Sequence, residues 1–156
     1  MTVLSMHHWQ NKAQALNEIA RVTRESFVAL TWCPKQETES FWLYRDYLTN
    51  VTGLNRAIFP KAADLRHHFR KVEEVVLPIP YDCADGFDGA YWQRPEAFLD
   101  PKVRANMSVF SKIDNASEAL LQLKNDLDSG RWHEKNAEIL ELVELDVGYR
   151  LFIVTI

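Results

Sequence analysis

Val3-Leu4-Ser5-Met6-His7-His8-Trp9 is the stretch on which the reading of this chain turns. A short apolar segment stops at small, aromatic and imidazole side chains. An amphipathic run follows at once, ending Glu18-Ile19-Ala20-Arg21-Val22. This is the pattern of a strand that delivers its carboxyl end straight into a helix. In an open α/β sheet, ligands sit in the crevice outside the carboxyl ends of the strands. Residues 5–9 are therefore where a bound small molecule is expected.

Outward from that stretch, Asn11 is an N-cap, and Ala13, Leu16, Ile19, Ala20 and Val22 recur at helical spacing, which predicts a helix over about 12–22. Phe27-Val28-Ala29-Leu30-Thr31-Trp32 is a continuous apolar run rich in β-formers, the mark of a strand buried on both faces. Strand, helix and strand in so short a span form a βαβ unit with parallel strands and a right-handed crossover. Cys33-Pro34 ends the second strand. Thr38 or Glu39 opens a helix carrying Phe41, Trp42, Tyr44, Tyr47 and Leu48, and Phe59-Pro60 breaks the pattern. A short helix over 63–69 contains His67 and His68. Residues 72–78 read as an edge strand, interrupted by Glu73 and Glu74 and closed by prolines.

Residues 80–100 are expected to be irregular, with turns at Asp85-Gly86 and Asp88-Gly89. Asp100-Pro101 starts a helix with Val103, Met107 and Phe110 on one face. Asn115 and Glu118 form a capping box for a helix carrying Leu120, Leu123 and Leu127, which Gly130 closes. A short helix over about 134–142 and a final strand over 149–156 complete the chain.

At 156 residues the chain is expected to be one domain, with 80–132 as an inserted, cap-like segment. A net charge of −4 disfavours a general nucleic-acid binder, since phosphate contacts need a basic surface. No apolar run approaches the roughly 20 residues of a membrane span, and no signal pattern opens the chain, so the expected address is cytoplasmic. Cys33 and Cys83, the two cysteines, fit a reducing compartment, with a single disulfide as the alternative. The tryptophans, tyrosines and phenylalanines concentrate in 27–47 and 87–110. They serve there either as core packing or as the apolar wall of a pocket for an organic substrate.

Leu4-Ser5-Met6-His7-His8-Trp9, then Glu18-x-x-Arg21-Val22, then Val28-Ala29-Leu30-Thr31-Trp32, resembles the second half of class I S-adenosylmethionine-dependent methyltransferases. The likeness is to the small-molecule branch called type 11 or ubiquinone/menaquinone-biosynthesis-like. In that family the fourth strand ends in a similar Ser-x-His-His-aromatic stretch, and the next helix carries Glu-x-x-Arg-Val. Gly148-Tyr149-Arg150-Leu151 matches its seventh strand, which runs antiparallel between the fifth and sixth. The resemblance implies an α/β, Rossmann-like fold in its C-terminal half: a mixed sheet with an antiparallel last strand, helices on both faces, and a helical insertion before that strand. Two departures stand out. Thr23-Arg24-Glu25-Ser26 occupies the place of the family's Pro-Gly-Gly turn. No Gly-x-Gly pattern exists, the glycines falling at 53, 86, 89, 130 and 148, so the residues that grip most of the cofactor would lie upstream.

The resemblance implies transfer of a methyl group from S-adenosylmethionine to a small organic acceptor. Ser5, Met6 and His7 are its candidates for the cofactor's sulfonium side. His8 is the candidate base, since an unperturbed imidazole titrates near neutrality. Trp9, Trp32, Trp42, Tyr81 and Trp92 are candidate substrate walls, and Arg94 a partner for an anionic substrate. Each has packing, capping or a surface ion pair as its alternative role. No metal site is expected, because neither histidine pair has the i,i+4 spacing of a helical zinc site and no Cys-x-x-Cys occurs. Apolar Val3-Leu4 at a sheet edge is an association hazard. The chain alone is thus expected to be marginal, dimeric or aggregation-prone, completed by a second copy or by an N-terminal half. A non-catalytic interaction or regulatory remnant is the rival reading, and one half of a split enzyme a third.

Overall fold

The computed structural model describes residues 1–33, 41–51, 58–111, 113 and 116–155. In chain order these form β1 (Thr2–Val3), α1 (Lys12–Val22), β2 (Ser26–Trp32), a π turn (Leu43–Tyr47), α2 (Ala62–His68), β3 (Lys71–Val76), β4 (Ile79–Pro80), α3 (Pro101–Arg104), α4 (Ala116–Asp128), α5 (Arg131–Lys135), α6 (Ala137–Leu140), β5 (Glu144–Leu145) and β6 (Tyr149–Thr155). They divide into two compact units. One comprises Met1–Lys35, Gly53–Leu77 and Gly148–Ile156, the other Gln36–Thr52 and Pro78–Val147.

The first unit is built on a four-stranded sheet in the order β1-β2-β6-β3. β1 pairs parallel with β2, while β6 lies antiparallel between β2 and β3. This is the α/β mixed sheet with an antiparallel last strand that the family resemblance implies. α1 starts where Asn11 predicts: its side-chain oxygen accepts the Gln14 N–H at 3.0 Å, a cap worth about 1 kcal/mol. Leu16 of α1 and Leu65 of α2 pack with Met6, Phe27, Ala29, Phe69, Phe152 and Val154. Both helices thus lie against the face of the sheet that carries Phe27, Ala29, Phe152 and Val154.

β2 departs from the expected burial on both faces. Phe27 and Ala29 are buried, but Val28 and Leu30, which point the other way, are only half-buried. A run of apolar residues does not by itself distinguish a strand with two covered faces from one with a single covered face. β1 covers only Thr2–Val3 and stops short of the rest of the apolar segment, because the backbone leaves the extended region at Leu4. β3 ends at Val76, and Ile79–Pro80 joins a ribbon in the second unit.

In the second unit, β4 and β5 form a two-stranded antiparallel ribbon. The expected helix over 41–48 is a π turn, and the proposed openings at Thr38 and Glu39 lie outside the described residues, as does the Asn115 cap. The helix from Pro101 stops at Arg104. Met107 and Phe110 belong instead to the segment leading through a separate turn at Ser108–Ser111. The helix expected over 134–142 is divided at Asn136, whose amide donates to the Trp132 carbonyl at 2.9 Å. Gly130, at φ +78°, closes α4 as predicted.

Successive residues of the π turn tie this unit together. The Tyr44 hydroxyl bonds the Asp88 carboxyl, Arg45 donates to Asn136, and the Tyr47 hydroxyl donates to Asp126 at 2.8 Å. Burial pushes the Asp88 carboxyl above its ordinary range, although Tyr44 and the Gly89 N–H work in the opposite sense. Burial, reinforced by Asp126, likewise raises the Tyr47 phenol, so it stays neutral and donates. Asp46 accepts from Arg45 at 2.8 Å and from Lys135 at 2.7 Å. Burial pushes its carboxyl up, but those cations outweigh burial and hold it below the usual value.

A carboxyl depressed in the folded state stabilises above its unfolded pKa of about 4 and loses that contribution as pH falls through the folded value. Asp46→Asn is therefore expected to lower the urea midpoint at pH 7. The gap to the parent should narrow as pH drops below 4. A gap that stays constant with pH would show that the Asp46 charge contributes nothing.

Candidate functional site

At the carboxyl end of β1 the chain makes an abrupt turn. Leu4 sits at φ +44°, a left-handed conformation that costs a non-glycine residue about 1–2 kcal/mol. Its N–H still donates to the Leu30 carbonyl at 2.9 Å, holding it to β2. The turn directs the chain into a single 3-10 turn at Met6–His8, where His8 N–H donates to Ser5 at 3.0 Å and Trp9 N–H to Met6 at 3.2 Å. The Thr2 and Ser5 hydroxyls bond each other across the bend. Residues 5–9 thus follow directly on the carboxyl end of β1, the position where sequence reasoning put a ligand.

Met6 is buried in the hydrophobic core, and Trp9 packs against the same cluster. Ser5 and His7 are half-buried and His8 is exposed. The two imidazoles face each other at 3.9 Å, whereas on a strand they would point apart. From His7 the aromatic contacts continue to Phe59 at 4.6 Å, from Phe59 edge-on to Trp32 at 5.6 Å, and from Trp32 by stacking to Tyr149 at 5.6 Å. The structure therefore brings His7 and Trp32 into one aromatic row. It adds Phe59 and Tyr149, which sequence reasoning had treated only as a break and a strand residue. The available signals were an aromatic residue ahead of Pro60 and another directly after Gly148.

On the helix-covered face, Thr31 and Arg150 stand opposite each other on β2 and β6, 1% and 2% exposed. Arg150 donates to the Tyr149 carbonyl at 2.8 Å, and its Nε lies 3.6 Å from the Glu74 carboxylate. Both were quoted in the sequence only as members of family-like strands and were given no site role, because a lone cation in an apolar strand carries no spacing pattern.

The other predicted site residues belong to the second unit. Trp42 and Trp92 are 0% exposed, and both indoles are bonded to backbone: Trp42 to the Trp92 carbonyl at 2.6 Å, Trp92 to the Ile79 carbonyl at 2.9 Å. Tyr81 is exposed at the end of the β4–β5 ribbon. Arg94 lies over the Tyr91 ring at 4.7 Å and donates to the carbonyls of Cys83 and Ala90 at 2.6 and 2.8 Å.

Cys33 and Cys83 are free thiols. Among the described residues no three His, Cys, Asp or Glu side chains converge on a point that could hold a metal ion, and no helix is long and apolar enough to cross a membrane.

Comparison with solved structures finds a candidate methyltransferase from an antibiotic biosynthesis pathway of Anabaena variabilis ATCC 29413. It is 30% identical to this chain with a TM-score of 0.81, over 99% of this chain and 64% of the Anabaena chain. The chain thus spans less than two thirds of the length of the protein it matches. No family model matches, and no curated protein matches. The likeness supports a methyltransferase fold, with the Rossmann-like mixed sheet described above.

Proposed function

We propose that this chain is the C-terminal half of a class I methyltransferase domain of the type 11, ubiquinone/menaquinone-biosynthesis-like kind. Its reaction is methyl transfer from S-adenosylmethionine to a small organic acceptor. The observation that carries the reading is the antiparallel β6 between β2 and β3, with the Ser5–Trp9 turn at the carboxyl end of β1, in a chain 30% identical to the Anabaena protein.

When bound, S-adenosylmethionine supplies a methyl group on a positively charged sulfur. Phe59, in contact with His7 at 4.6 Å, suits that end of it, because the faces of Phe, Tyr and Trp attract a cation within about 6 Å. Ser5 adds a hydroxyl to the same turn, where it meets Thr2, and Met6 anchors the turn by its burial. His8, exposed next to His7, can take a proton from an acceptor that loses one. Trp32, held between Phe59 and Tyr149, walls the same end. Beyond positioning, displacement at a methyl group needs little from the protein. The nucleoside end has no counterpart here, since these residues contain no Gly-x-Gly cradle.

The test is calorimetric titration of the chain with S-adenosylmethionine, which carries the positively charged sulfur. Micromolar binding, about −8 kcal/mol, is expected, weakened tenfold or more by His7→Ala and unchanged by His67→Ala. Absence of heat would overturn the reading for this chain. It would favour the non-catalytic remnant, a reading that the missing Gly-x-Gly pattern also supports.

A further inference from the structure

The second unit shields a cation that has no carboxylate beside it. Among the described arginines only Arg104, half-buried, and Arg150, buried, are not exposed. Arg150 faces the Glu74 carboxylate, whereas no described carboxylate pairs with Arg104. A charge drawn out of water is normally paired, because it loses solvation that a counter-charge and hydrogen bonds restore. Arg104 is fixed instead by two uncharged contacts. Its Nη1 donates to the Phe98 carbonyl at 2.6 Å, and its guanidinium lies 5.9 Å from the centre of the Phe110 ring.

Arg104 lines an open cavity of about 300 Å³ together with Ala105, Met107, Ser108, Phe110 and Ser111. That volume stands at the lower end of the roughly 300–1,000 Å³ of small-molecule sites. Buried Met107 and half-buried Phe110 give the cavity an apolar wall. The Ser111 hydroxyl is turned onto the Ser108 carbonyl at 2.8 Å, and no carboxylate is among the lining residues. We propose that this cavity binds a small carboxylate with an aromatic body. The ring lies against Phe110 and Met107, and the carboxylate pairs with Arg104. With Nη1 held by Phe98, the Nε–Nη2 edge of the guanidinium meets both carboxylate oxygens, the geometry in which the two groups match bond for bond. A phosphate, with three acceptor oxygens and up to two charges, asks for more than this one edge supplies. The inference rests on the second unit and is independent of the methyl-transfer reading.

The test is an NMR titration of the full chain, read at the backbone amides, with three probes: phenylacetate, its neutral counterpart phenylacetamide, and inorganic phosphate. Phenylacetate at millimolar concentration is expected to shift the amides of residues 104–111, and the other two probes to bind at least tenfold more weakly. Arg104→Gln should weaken phenylacetate at least tenfold. Ser108→Asp, at an exposed position, keeps Arg104 and its bond to Phe98 but sets a competing carboxylate on the cavity wall. It should weaken binding to a similar extent, and it serves as the test if Arg104→Gln does not fold. Lys102→Gln removes an exposed cation from outside the cavity and should leave binding unchanged. Indifference to either cavity variant that folds, an equal loss with Lys102→Gln, or an equal response to phenylacetamide would overturn the proposal. Phosphate binding as tightly as phenylacetate would overturn it in favour of a plain anion site. Shifts confined to residues 5–9 would overturn it by placing the ligand in the first unit.

Discussion

Replacing Trp42 by alanine is expected to lower the unfolding free energy of the second unit by about 3–5 kcal/mol. The side chain is wholly buried, with Phe41, Tyr47, Phe98 and Trp132 edge-on around it at centroid distances of 5.9, 5.9, 5.5 and 5.1 Å. Truncation would leave a cavity that rigid aromatic neighbours cannot collapse into. It would also remove the 2.6 Å bond from the indole N–H to the Trp92 carbonyl. Trp42→Phe separates the two contributions, since it keeps most of the ring area but loses the donor. An unsatisfied buried acceptor costs about 1–3 kcal/mol, so this variant should fall between the parent and alanine. Urea unfolding followed by circular dichroism reads both. A phenylalanine variant as stable as the parent would show that the indole hydrogen bond has no net value.

Gly148→Ala is expected to cost about 2–4 kcal/mol, far more than a single added methyl ordinarily would. Gly148 sits at φ +103°, a conformation that side chains rarely adopt. A Cβ there would stand 2.9 Å from the Trp32 indole nitrogen and 3.0 Å from its neighbouring carbon. The Trp32 ring cannot simply retreat, because Tyr149 stacks on it and Phe59 lies against it. The Gly148 carbonyl also accepts the Cys33 N–H at 2.7 Å, so a shifted backbone would strain the end of the β2–β6 ladder. Thermal unfolding of Gly148→Ala beside Gly130→Ala separates these effects. Gly130 shares the positive φ, but an added methyl would meet no atom within 4 Å, so it should lose only the conformational part. Equal losses at the two glycines would show that the close approach to Trp32 is unimportant.

Much of the first unit was legible in the sequence because its signals are local. The Asn11 cap, the helical spacing of Leu16 and Ile19 and the Phe27–Trp32 run identified α1 and β2 almost to the residue. The position of β6 came from resemblance, since no local rule states which strands a terminal strand will separate. The second unit was harder to read. Its elements are short turns held by contacts between distant residues, such as Tyr44 with Asp88 and Tyr47 with Asp126. The same holds for the candidate site. Ser5, His7 and His8 were visible from their place after an apolar segment. Phe59 reached them only through tertiary packing.

Alone, the sequence determined the strand–helix–strand entry, the closure of α4 at Gly130 and the absence of a Gly-x-Gly cradle, because each depends on neighbouring residues and backbone preference. Tertiary structure alone decided that His7 meets Phe59, that Arg150 is buried opposite Thr31, and that one face of the sheet stays half-open. Those outcomes depend on which distant segments pack together, and side-chain alternation along one strand cannot specify that.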